Sequence, residues 1–152
     1  MTSFDELRDL YGQLVPFNTH LGMEVIDIGP GTAVTRLPDD PRLLNHVGTQ
    51  HAAALFAVGE AASGAAVVGM FGDELRAATP LARKAEISYR RPAIGPITAS
   101  ASITEDVGAV LDKFKATGRA SFDVTVQLTD ENDKRVAEMA VAWLVRTRQD
   151  IP

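Results

Sequence analysis

A run of polar and small residues, Asn45-His46-Val47-Gly48-Thr49-Gln50-His51, leads directly into a long stretch of Ala, Val, Gly, Leu and Phe whose only charge is Glu60. Burying an ionised carboxylate without partners costs several kcal/mol, so a carboxylate kept in such company is either paired or put to use. Glu60 is therefore the first candidate for chemistry, as a base that activates water or as a nucleophile toward an acyl carbon. Asn45, Gly48 and His51 precede it at three-residue steps, an amide, a glycine and an imidazole gathered at the start of one helix. Each has a plainer role open to it: Glu60 as a paired carboxylate at a subunit interface, His51 as a helix cap, Asn45 as a turn residue.

Other chemistries find less support. His20, His46 and His51 show no metal-ligand spacing on a helix face, so no metal is expected. The absence of cysteine excludes a thiolate zinc site, a cysteine nucleophile and a disulfide framework. No Gly-rich phosphate loop follows a strand, and no nucleophile elbow anchors a serine triad. A net charge of −5 argues against a polyanionic partner, so neither nucleic acid nor an acidic membrane surface is expected.

The elements that must position these residues follow from periodicity. With 152 residues and 45% apolar content the chain fits one domain, 1–152, able to bury a core. Ser3 and Glu6 have capping-box spacing ahead of Leu7, Leu10, Tyr11 and Leu14, which predicts an amphipathic helix ended by Pro16. Segments 21–28 and 32–37, joined by Gly29-Pro30-Gly31, predict a strand, a tight turn and a second strand. Ala52 to Phe71 is long enough to span a bilayer. A central carboxylate adds about 2.5–3.5 kcal/mol against insertion, and the nearest cations are Arg42 and Arg76. The expectation is a soluble helix buried on nearly every side, with Gly59, Gly64 and Gly69 allowing close approach of neighbours.

After a linker at 72–80, the period changes to two. Strands are expected at 84–91, 97–104, 120–129 and 136–145, the last apolar on both faces apart from Glu138. The start of the chain has no basic segment followed by an apolar run, so a cytoplasmic location is expected. Strands joined by short turns are antiparallel, giving an α+β chain whose antiparallel sheet curls around one long helix. Such a sheet leaves edges exposed, which predicts a dimer that pairs edges or packs helices.

Asn45, Gly48 and His51, with a carboxylate nine residues after the histidine, resemble the hot-dog-fold acyl-CoA thioesterases of the phenylacetate-pathway and 4-hydroxybenzoyl-CoA-like branch. The stretch Ala85-Glu86-Ile87-Ser88-Tyr89-Arg90-Arg91-Pro92-Ala93-Ile94-Gly95 resembles the strand after the helix in that group, and the order of elements agrees from about Leu21 to Val145. The N-terminal helix lies outside the minimal fold.

The resemblance implies hydrolysis of an acyl-CoA thioester with Glu60 as base or nucleophile. It implies that the Ala52 backbone N–H polarises the carbonyl at the helix N-terminus, that Asn45 orients water or the carboxylate, and that His51 helps to place the thioester. Gly48, Ala53, Ser63, Arg90 and Arg91 fall on the substrate-binding side, the two arginines facing coenzyme A phosphates or, more plainly, solvent. No bound cofactor is implied, because coenzyme A arrives with the substrate. Two positions depart from the pattern. Ala52-Ala53 replace paired glycines, keeping the backbone donors but adding methyl groups. Gly64 stands where one branch has a hydroxyl residue one turn beyond the carboxylate, with Ser63 one residue earlier.

Helix geometry adds an independent constraint. Ala52 and Glu60 are eight residues apart, about 12 Å along one helix, too far to act on one thioester carbon together. If both act on the same carbonyl, Glu60 comes from a second subunit with an antiparallel helix, giving two composite sites per homodimer or within a dimer of dimers. The rival from another class is a non-catalytic acyl-CoA or lipid-binding hot-dog protein in which Glu60 is structural.

Overall fold

A computed structural model describes residues 1–148; the last four residues of the expected domain lie outside the described residues. Ser3 caps α1 (Phe4–Leu14), its hydroxyl accepting the Glu6 N–H while the Glu6 carboxylate accepts the Ser3 N–H. Pro16 both ends that helix and starts another. It occupies the first turn of α2 (Pro16–His20), where a missing N–H has no consequence and the fixed φ favours a helix. The first strand accordingly begins three residues later than expected, as β1 (Glu24–Gly29), and turns through Pro30-Gly31 into β2 (Thr32–Leu37). Gly31 has a φ of 75°, the left-handed value such a turn needs.

A loop containing one 3-10 turn, Pro41–Leu43, delivers the chain to α3 (Ala52–Phe71). The expected linker at 72–80 is shorter than the sequence indicated. A 3-10 segment fills Gly72–Ala77, and β3 (Ala78–Tyr89) starts at once, with Pro80 tolerated because the strand is at a sheet edge. β4 (Ile97–Ile103) follows, then α4 (Val107–Thr117), β5 (Arg119–Thr129) and β6 (Arg135–Thr147).

α4 is a correction to the expected unbroken succession of strands. Its signals were local: Asp106 accepts the Ala109 N–H as N-cap, Val110 and Phe114 share the buried face, and Gly118 closes the helix at φ 72°. Phe114 meets Phe71 at the end of α3 edge to face, with ring centroids 5.2 Å apart.

The six strands form one antiparallel sheet in the order β1-β2-β4-β5-β6-β3. Inward residues such as Leu37, Ile97, Val124, Val126, Leu128 and Val141 are fully buried against α3, so the sheet wraps around the central helix as the resemblance implied. By length and composition α3, extended through the 3-10 segment, passes as a membrane span, yet 83% of its most apolar window is buried inside the protein. Its small residues explain how. A Cβ on Gly69 would strike the Gly29 carbonyl of the β1–β2 turn, and one on Gly59 would sit 2.7 Å from the Met139 sulfur. β6 is an interior strand between β5 and β3, consistent with its two apolar faces, and β3 leaves one edge unpaired with Leu81 and Tyr89 exposed.

Candidate active site

The first turn of α3 has four backbone N–H groups with no partner inside the helix. Three are satisfied locally: His51 by the Leu43 carbonyl at 2.9 Å, Ala53 by the His51 Nδ1 at 2.9 Å and Ala54 by the His51 carbonyl at 2.9 Å. The Ala52 N–H has no partner among the described residues. His51 is thus an N-cap, and its capping leaves a single free amide at the positive end of a 20-residue helix.

That amide opens beside a cleft of about 300 Å³ lined by Asn45, Gln50, Ala52, Tyr89, Arg90 and Arg91 among others. Tyr89, at the end of β3, donates its hydroxyl to the Ala52 carbonyl at 3.0 Å and ties the sheet edge to the helix start. Arg90 pairs with Glu138 of β6 and holds that carboxyl below its usual range, while Arg91 is exposed without an ion pair among the described residues. His51 and Ala53 instead line a separate hollow of about 200 Å³ with Phe17, Leu21, Leu43 and Ala54.

The loop before α3 is organised by two amides. Asn45 accepts the Val47 and Thr49 N–H groups on Oδ1 at 3.1 and 3.0 Å and donates Nδ2 to Thr49 Oγ1 at 2.8 Å. One Nδ2 hydrogen remains for another partner. Gly48 has a φ of 79° and donates its N–H to the Asn45 carbonyl, a turn conformation that a side chain would strain. Gln50 is 2% exposed and donates Nε2 to both the Pro38 and Gly95 carbonyls, at 3.0 and 2.9 Å, while its Oε1 is buried without a partner.

Glu60 lies further along α3 and is half-buried. Its carboxylate makes no hydrogen bond or ion pair among the described residues, and burial raises its pKa above the ordinary carboxylate value. Ala52 and Ala53 are exposed and Phe56 is half-buried, so these residues and Glu60 form an open stripe on a helix that is buried from Ala61 to Val67. Ser63 does not join this stripe. It is fully buried, donating to the Glu60 backbone carbonyl at 2.7 Å and accepting the Trp143 Nε1–H at 3.1 Å.

The fold therefore brings Asn45, Ala52, Arg90 and Arg91 into one cleft, puts Ala53 and His51 on a separate hollow, and keeps Glu60 apart on the same helix. Sequence reasoning missed Gln50, Tyr89 and Tyr11. For Gln50 the only signal was a long amide wedged between Thr49 and the capping histidine; Tyr89 and Tyr11 gave none, because their partners come from distant elements.

No curated protein matches the chain. Among solved structures it is similar to a Pseudomonas aeruginosa protein of unknown function named a probable thioesterase, with 27% identity, a TM-score of 0.81 and 95% of each chain covered. It is similar to a mutant of the phenylacetic acid degradation protein PaaI from Thermus thermophilus, with 23% identity, a TM-score of 0.68 and coverage of 87% of this chain and 99% of that one. It is also similar to the Haemophilus influenzae thioesterase HI1161, with 18% identity, a TM-score of 0.76 and coverage of 97% and 92%. The architecture is that of the hot-dog thioesterases. Residues 6–145 match the model of a domain of unknown function, DUF4442, and the chain belongs to that family.

Proposed function

We propose that this protein is an acyl-CoA thioesterase acting in the cytoplasm, with each site assembled from two subunits. The observation that carries the reading is the open stripe of α3. Among the described residues a free amide N–H stands at one end and an unpartnered Glu60 at the other, and the helix beyond is buried from Ala61 to Val67. The similarity to proteins named thioesterases supports the reaction class.

In the proposed reaction the Ala52 N–H of one subunit donates to the thioester oxygen, and Glu60 of the other subunit takes a proton from water as the water attacks the carbonyl carbon. The tetrahedral oxyanion is held by that N–H and the helix dipole. Collapse breaks the carbon–sulfur bond, and the proton on Glu60 passes to the departing thiolate, leaving a carboxylic acid and free coenzyme A. Raised by burial, the Glu60 carboxyl sits nearer the working pH of a base than an exposed glutamate does. Arg91 would meet the coenzyme A phosphates, a role supported by its position in the lining of the cleft, while Arg90 is restrained by Glu138. The unpaired β3 edge and the open stripe of α3 are the surfaces for a homodimer or a dimer of dimers.

The test is thiol release from short, long and aromatic acyl-CoAs by wild type beside Glu60→Gln. Turnover that falls at least about a hundredfold in the variant is expected. Acyl-CoA bound but hydrolysed by neither protein would transfer the assignment to a non-catalytic acyl-CoA-binding role.

A further inference from the structure

Gly64 lies one turn after Glu60 on α3, and the space a side chain there would take is already filled. A Cβ at that position would sit 2.6 Å from the Tyr11 hydroxyl, 3.5 Å from Tyr11 Cζ and 3.7 Å from Trp143 Cη2. Tyr11 comes from α1, an element added to the six strands and central helix, and is 8% exposed. Its O–H donates to the Ala61 carbonyl at 3.3 Å, a long bond for a hydroxyl. Asn18 of α2, 7% exposed, lies beside the same phenol.

Residues i and i+4 of a helix are neighbours, with Cβ atoms about 5–6 Å apart. A hydroxyl standing in the place of the Gly64 side chain is therefore within the reach of a glutamate side chain at position 60. That carboxylate has no partner of its own among the described residues.

We propose that Tyr11 is a positioning residue for Glu60: α1 inserts its hydroxyl where Gly64 lacks a side chain, and there it donates to the ionised carboxylate and fixes its rotamer. This rests on the reading of Glu60 as the catalytic base. The hydroxyl turns from the Ala61 carbonyl toward Glu60 when the carboxylate is charged. Burial, and then the charge of Glu60, push the Tyr11 phenol well above its usual range, so it remains a donor across the working pH. Among the described residues, the other polar groups packed around the pair are neutral: Asn18 from α2, Ser63 from α3 and Trp143 from β6. The N-terminal helix thereby becomes part of the catalytic apparatus, and the glycine at 64 is required by the tyrosine at 11.

Tyr11→Phe keeps the ring and deletes the donor. Losing a hydrogen bond to the charged form raises a carboxyl pKa, so the acid limb of kcat/KM against pH moves upward by roughly one unit, a loss of about tenfold at the foot of that limb. Deleting the hydroxyl also opens space at Gly64, leaving the ordinary contacts to the ring and to Trp143. Tyr11→Phe combined with Gly64→Ser restores a hydroxyl and should bring the limb back, whereas Tyr11→Phe with Gly64→Ala refills the space and should not. An unmoved limb in Tyr11→Phe, or equal recovery by the alanine and serine double variants, overturns the proposal. Carbon NMR of carboxyl-labelled glutamate, assigned with Glu60→Gln, follows the Glu60 titration without turnover, and an unchanged titration in Tyr11→Phe overturns it equally. A wild type that hydrolyses no thioester refutes the hydrolase reading, and the NMR titration still decides the role of Tyr11.

Discussion

The His51 imidazole accepts the Ala53 amide N–H at 2.9 Å, which leaves the neighbouring Ala52 as the one helix-start amide free to meet a ligand. The imidazole makes no other hydrogen bond among the described residues. His51→Ala is expected to lose about 1 kcal/mol of stability, the usual value of an N-cap, and His51→Asn to keep it. Urea unfolding of the two variants measures this. Equal midpoints for His51→Ala and wild type would show that the cap contributes nothing.

The Ala52 N–H can be removed without disturbing the helix. Position 52 is the first helical residue, and His51 has φ −65° and ψ 140°, a conformation compatible with a following proline. Ala52→Pro is expected to lower kcat by about a hundredfold to a thousandfold, the cost of losing one oxyanion donor.

Mixing Ala52→Pro with Glu60→Gln tests the composite site directly. Each mixed dimer would contain one site with both defects and one with neither. After subunit exchange at equal ratio, half the dimers are mixed and the mixture is expected to regain about a quarter of wild-type turnover. A mixture no more active than its inactive parents would place Ala52 and Glu60 of the same chain in one site, or in none.

Stability should report the burial of Glu60. A carboxyl whose folded pKa lies above its unfolded value binds more protons when folded within the window between the two values. Stability therefore falls as pH rises through that window, and the loss is complete above the folded pKa. Burial raises Glu60, so the window begins at its ordinary unfolded value and extends upward. Glu60→Gln is expected to unfold at a higher temperature than wild type at about pH 8, with the difference shrinking toward about pH 4. Thermal midpoints at both values check the sign, and a difference that grows on acidification would mean that Glu60 has a stabilising partner in the assembly.

Local patterns carried much of this protein in its sequence. The capping box of Ser3 and Glu6, the Gly-rich hairpin turn and the alternating residues of β4 and β5 each depend on neighbours a few positions away. Asp106 and Gly118 gave equally local signals for α4, but the expectation of a simple run of strands passed over them. Ser63 shows the opposite case: its hydroxyl accepts from the indole of Trp143, eighty residues away, a partner that no local pattern signals.

The sequence by itself determined the order of the strands, the apolar central helix and the isolation of Glu60, because periodicity and the cost of burying charge are written residue by residue. Only the tertiary structure decided which groups surround that carboxylate. Tyr11 stands against Gly64, Gln50 fastens two loops and Tyr89 meets the first turn of α3 because chain segments distant in sequence pack together, and close packing assigns each space to a single side chain.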